Sequence, residues 1–118
     1  MNWDDKSDDE VSVNLAKSLG LCVHNVKGEW LKYTGVSKGL PTYEKPDYCN
    51  SWADIGPLIV DHDICIIRRG DITECNHQIA HGMHRFVTQL PKDKVLRAAA
   101  ICIIKKLEAK NESILTAG

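Results

Sequence analysis

Aromatic residues make up only 6% of the 118 residues, with a single phenylalanine, and charge nearly cancels: 15 Lys and Arg against 16 Asp and Glu leave a formal −1. Near-neutrality excludes a general electrostatic pull toward nucleic acid or anionic lipid. No apolar run is longer than Ala98 to Ile104, far short of the roughly 20 residues that cross a bilayer, so no membrane contact is expected. The chain has no Cys-x-x-Cys pair and no His-Glu-x-x-His, and Gly35-x-x-x-Gly39 lacks the following Lys-Ser/Thr of a phosphate-binding loop. The usual zinc, metalloprotease and nucleotide-phosphate signatures are therefore missing. The cysteines Cys22, Cys49, Cys65, Cys75 and Cys102 are odd in number, lie mostly in apolar patterns and follow no signal peptide. They are expected to be reduced thiols in a cytoplasmic setting.

What is present is 43% hydrophobic residues in 13.2 kDa, enough for one modest core. The expected architecture is a single α+β domain over residues 1–118, about three helices against a small, mainly antiparallel sheet, with residues 1–6 and 111–118 loose. Ser7 with Glu10 three positions later forms a capping box that opens a helix to about Leu19, closed by Gly20. Leu21 to Val26 reads as a strand, Lys27-Gly28 as a tight turn and Glu29 to Tyr33 as the hairpin partner. Thr34 to Pro46 holds Gly35, Gly39, Pro41 and Pro46 without an apolar period and reads as a long exposed loop.

Asp47 to Ile67 carries a helix start, a proline break and an apolar strand. Asn50 or Ser51 caps a helix that bends at Pro57 and ends near Val60. Ile64-Cys65-Ile66-Ile67 then reads as a central strand buried on both faces. After a turn at Arg68-Arg69-Gly70-Asp71, Ile72 to Asn76 and Met83 to Thr88 are expected strands joined by a His-rich stretch. Pro91 falls in the first turn of a last helix to about Ala109, with Leu96, Ala99, Ala100, Ile103 and Leu107 at core spacing. Its middle, Ala98 to Ile104, is apolar almost all round. That implies either cover on two sides within the fold or a second face given to a partner chain, that is, a homodimer through the C-terminal helix.

Three blocks, Ser7-Asp8-Asp9-Glu10, Asn50 to Ile59 with its Asn-Ser-Trp-Ala-Asp start, and Leu96 to Ile101 with Leu-Arg-Ala-Ala, occur in the order seen in a known group. On these blocks the chain resembles the NinX-like family of small proteins from lambdoid phages and prophages. The resemblance implies a phage source and the cytoplasm of the infected host, and it brings no reaction, cofactor or catalytic residue. Lys27 to Pro46 and Arg69 to Lys92 take no part in it.

Candidate sites are sparse. Tyr43, Tyr48 and Trp52 with Asn50 form the one aromatic-polar cluster outside an obvious core pattern, although Trp52 packing inward and Asn50 merely capping is the plainer reading. Arg68 and Arg69, with the Lys and Arg of the last helix, suit phosphate contact, so nucleic acid is a second class of partner. The bland account of the basic last helix and of acidic Asp4, Asp5, Asp8, Asp9 and Glu10 is helix-dipole complementarity. Cys75, His77, His81 and His84 suit a small zinc protein, but on strands Cys75 and His77 share a face while His81 and His84 do not. No cofactor is implied, and no metal set is assigned. Cys22 with His24 lacks a third orienting group for nucleophilic work. Asp61 and Asp63 flank His62, which would raise its affinity for a proton if they dominated its surroundings. With no catalytic set, the expected activity is non-enzymatic contact with a host or phage protein.

Overall fold

The computed structural model describes residues 3–80 and 83–117, with side chains at all of these except 4, 78–80, 83, 84 and 110–117. A short 3-10 turn, Trp3–Asp5, leads to α1 (Asp8–Ser18), whose capping box is formed: the Ser7 hydroxyl accepts from the Glu10 amide while the Glu10 carboxylate accepts from the Ser7 amide. Gly20 follows in the left-handed conformation, φ 81°, as a helix-ending residue does. Trp3 packs partly buried against the core.

The strands form two separate three-stranded antiparallel sheets instead of one. The first holds β1 (Val23–Val26), β2 (Glu29–Ser37) and β3 (Leu40–Glu44); the second holds β4 (Ile64–Arg69), β5 (Ile72–Ala80) and β6 (Met83–Pro91). The expected long loop from Thr34 is in fact the rest of β2, a hairpin turn and β3. Lys27-Gly28 and Lys38-Gly39 are matching two-residue turns, with positive φ at both residues, that join Val26 to Glu29 and Ser37 to Leu40. This twist suits right-handed strands and is tolerated best with glycine at the second place.

Helix α2 (Trp52–Asp61) is capped by Ser51, whose hydroxyl accepts from the Asp54 amide, and it runs through Pro57. The strand after it, β4, is an edge strand and not the central one. Ile64 is buried but Ile66 is 39% exposed. The centre of that sheet is the more polar β5, where Thr73, Glu74, Cys75 and Asn76 are all buried. Glu74 accepts from the Asn76 and Gln89 side-chain amides at 3.0 and 2.9 Å, which removes much of the cost of burying it.

Pro91 ends β6, a 3-10 turn (Lys92–Lys94) follows, and α3 (Val95–Ala117) runs on well past Ala109. It packs against the second sheet on one side and α1 on the other, with α2 also beside it; α1 in turn touches β1 and β2. In space the order is second sheet, α3, α1, first sheet. Ala98 to Ile104 are each at most 1% exposed. The apolar circumference of this helix is thus covered inside the chain, and the observation that motivated a homodimer through it is satisfied without a second copy.

Candidate functional site

Cross-strand partners in an antiparallel sheet point to the same side, so the register sorts the first sheet into two faces. Val23 pairs with Lys32, Asn25 with Trp30 and Lys32 with Glu44. This face meets the body: Val23 packs on the core, the Lys17 ammonium of α1 lies 4.2 Å from the Trp30 ring, and the Lys32 ammonium lies 5.9 Å from Tyr48. The opposite face carries the pairs His24 with Leu31, Tyr33 with Tyr43, and Val36 with Pro41.

On that outer face the rings of Tyr33 and Tyr43 are 6.0 Å apart with planes at 68°. His24 meets them at 6.5 and 6.1 Å, again edge to face. Such contacts hold the rings in fixed relative positions, each pair contributing about 0.5–1.5 kcal/mol beyond burial. Tyr33 and Tyr43 each remain 39% exposed, Val36 65%. Glu29 is the one formally charged residue among the strand positions of this face, opposite Val26. The result is a nearly uncharged aromatic surface, able to bury apolar area against a flat partner.

The residues singled out from the sequence do not converge. Tyr43 belongs to this aromatic face. Tyr48 does not: it is a core residue, 5% exposed, whose hydroxyl is pushed up in pKa first by burial and then by Asp54 and Glu44. Asn50 is exposed and donates to Asp47 at 3.1 Å, leaving the cap to Ser51. Trp52, at the first position of α2, is 55% exposed, so the expectation that it packs inward fails. Arg68 and Arg69 end β4 in the other sheet, and Arg69 lies 3.5 Å from the Glu74 carboxylate. Leu31, Tyr33 and Val36 share this face and are absent from the candidates above, where His24 stands only beside Cys22. The second Lys-Gly pair was the signal that could have revealed them.

The other groupings are occupied structurally. Cys75 faces α3, its thiol 3.9 Å from the Val95 carbonyl, and burial pushes its pKa up to about 12. His77 bonds the His62 carbonyl at 3.0 Å and stacks on Phe86. His81 and the His84 side chain lie outside the described residues, and among those described no three His, Cys, Asp or Glu side chains are placed to hold a metal. His62 has its pKa lowered, by burial first and then by Lys106, which outweigh the neighbouring Asp61 and Asp63. Cys22 is exposed just ahead of β1, while the His24 ring is engaged with the tyrosines.

On α3, Arg97 bonds Asp8, Lys105 bonds the Val87 carbonyl and the Thr88 hydroxyl, and Lys106 bonds the His62 carbonyl. Those cations are committed within the fold. A cleft of about 400 Å³ between α1 and the first sheet has Trp30 as one wall. Its charges largely answer one another, with Lys45 3.1 Å from Asp9 and Lys6 3.7 Å from Glu10.

The thiols offer a direct check on these placements. Burial raises Cys49 to about 11 and Cys75 and Cys102 to about 12, whereas Cys22 is exposed. A thiol of pKa about 12 carries roughly a thousandfold less thiolate than an ordinary one near 8.5. A thiol reagent at mildly alkaline pH should label Cys22 fast, and Cys49, Cys75 and Cys102 only at the rate of unfolding. Fast labelling of Cys75 or Cys102, read by peptide mass spectrometry, would contradict the burial of Cys75 against α3 and of Cys102 within it.

No protein-family model matches the chain, and no curated protein matches it either.

Proposed function

We propose that this protein works by non-enzymatic contact, docking the aromatic face of its first sheet onto another protein. The resemblance to the NinX-like family implies a phage source and the cytoplasm of the infected host, and in our reading contact there modulates a host process or defence. The observation that carries the reading is the interlocked trio His24, Tyr33 and Tyr43 on a solvent-facing sheet surface. Tyrosine offers large contact area at low entropic cost and is enriched where interfaces concentrate their energy. The chemistry it fits is an apolar, weakly charged protein patch.

Nucleic acid is the second reading, because exposed rings on a sheet also serve as stacking platforms for single strands. Charge argues against it here: the face holds Glu29 and no Lys or Arg at its strand positions, and the edge-to-face packing turns ring faces toward neighbouring rings. Affinity capture from phage-infected cells with the native chain and a Tyr33→Ser/Tyr43→Ser chain separates the readings. The expected result is one specific protein retained by the native chain and at least about tenfold depleted with the variant, both chains giving the same circular dichroism. Equal capture by the two chains overturns it. So does tight binding of single-stranded nucleic acid by the purified protein that weakens steeply with salt.

A further inference from the structure

Natural edge strands are normally kept short, bulged, or marked with lysine or proline, because an open row of backbone donors and acceptors invites pairing. β4 shows none of these devices along its apolar part. It pairs with β5 over six consecutive positions, Ile64 with His77 through Arg69 with Ile72, without a register shift. Among the described residues no strand lies on its other side. Ile64-Cys65-Ile66-Ile67 is rich in β-branched residues, and Ile66 is 39% exposed.

The charges at its two ends say what fits there. Asp63 stands immediately before the strand and Arg68-Arg69 end it, all three exposed. We propose that β4 is the seam of a homodimer, in which the β4 strands of two copies pair antiparallel about a two-fold axis through Ile66 and join the two sheets into one of six strands. In that register Ile66 meets its own copy, Cys65 meets Ile67, Ile64 meets Arg68, and Asp63 meets Arg69 of the second copy. By symmetry the Asp63–Arg69 pair forms twice. The register centred on Ile67 brings Arg69 opposite Cys65 and loses the pair, and the one centred on Cys65 brings Arg69 opposite Asp61, which ends α2 and is not an extended position able to pair with a strand. Registers that centre on a residue, rather than between two, also keep partner side chains on the same face. The helices of both copies then lie on one side of the continuous sheet. A strand with acids at one end and arginines at the other is complementary to itself run backwards, which selects a second copy over an unrelated extended peptide. The contact uses no residue of the aromatic face.

A seam of one strand pair belongs to the smaller interfaces, below about 1,200 Å², so assembly is expected only at micromolar concentrations and above. Sedimentation velocity of the native chain over a wide concentration range should show mass rising from 13.2 kDa toward twice that value. Ile66→Lys should stay monomeric with unchanged circular dichroism, since the position is exposed at a sheet edge. Asp63→Asn, which keeps a side chain suited to its φ of 55°, should weaken association about two- to tenfold, and less at high salt. Mild oxidation of Ile66→Cys should trap a covalent dimer, because directly opposed strand residues lie about 4.5–5.5 Å apart, within disulfide reach. A native chain that is monomeric at every concentration overturns the proposal. So does a dimer that survives Ile66→Lys and fails to cross-link through position 66.

Discussion

Replacing Ile103 with alanine lowers the unfolding free energy by about 3 kcal/mol, within the range of about 2–5 for truncating a fully buried isoleucine. Ile103 is 0% exposed, in the stretch of α3 that lies between α1 and the second sheet. A helix covered on one side can shift toward a cavity and close it. This one is held from both sides, with Ala98, Ala99 and Ala100 letting the neighbours approach closely, so the void persists and its lining loses contacts on every wall. Urea unfolding read by circular dichroism should show a lower midpoint with an unchanged slope. Ile66→Ala, at the half-exposed edge of the second sheet, should cost less than about 1 kcal/mol. Equal losses at the two positions would contradict the layered arrangement of sheet, α3, α1 and sheet.

Arg97→Met should cost about 2–4 kcal/mol, through polar groups left unanswered rather than through lost volume. The Arg97 guanidinium, with its side chain 12% exposed, donates to the Asp8 carboxylate at 2.8 Å and to the Trp3 carbonyl at 2.7 Å, and it also bonds the Lys6 carbonyl. It therefore ties the acidic start of the chain and the first turn of α1 to α3. Methionine keeps most of the apolar stem but offers no donor. Arg97→Lys should recover only part of the loss, because one ammonium lacks the planar fork that reaches several acceptors at once. Asp8→Asn coupled with Arg97→Met in a double-mutant cycle should show an interaction energy above about 1 kcal/mol. The exposed Lys45–Asp9 pair, with side chains 55% and 61% accessible, should show little coupling and lose it in salt. Coupling as small at Arg97 as at Lys45 would refute its role as a tie.

The fold was readable from the chain wherever neighbours in sequence settle the matter. Ser7 with Glu10 and Ser51 with Asp54 name their helix starts because a cap is a bond across three residues. Lys27-Gly28 names its turn for a similar reason. The last helix was legible because its apolar residues repeat at helical spacing, although its end was placed too early. Lys38-Gly39 carries the same turn signal, yet β2 beyond Tyr33 and all of β3 fall in the stretch that reads as loop. Both faces of that part of the sheet are largely exposed, so no alternation of apolar and polar residues marks the strands, and the register shift between Tyr33 and Gly35 breaks what pattern remains.

Charge and burial misled in the second sheet. An apolar run suggests a central strand, but β4 is the edge and the more polar β5 the centre. Ile64-Cys65-Ile66-Ile67 says only that the segment suits a strand; its place depends on which strand pairs on which side, and on Glu74, Asn76 and Gln89 satisfying one another across two strands. Tyr48 lies in the core and Trp52 at the surface for the same reason, since four residues' separation leaves open which ring the body covers. Caps, turns and helical periods follow from interactions spanning a few residues, and the helices and strands they mark give the α+β class. The aromatic face, the open edge of β4 and the enclosure of α3 arise only when segments distant along the chain meet, because exposure belongs to the assembled surface and not to any residue alone.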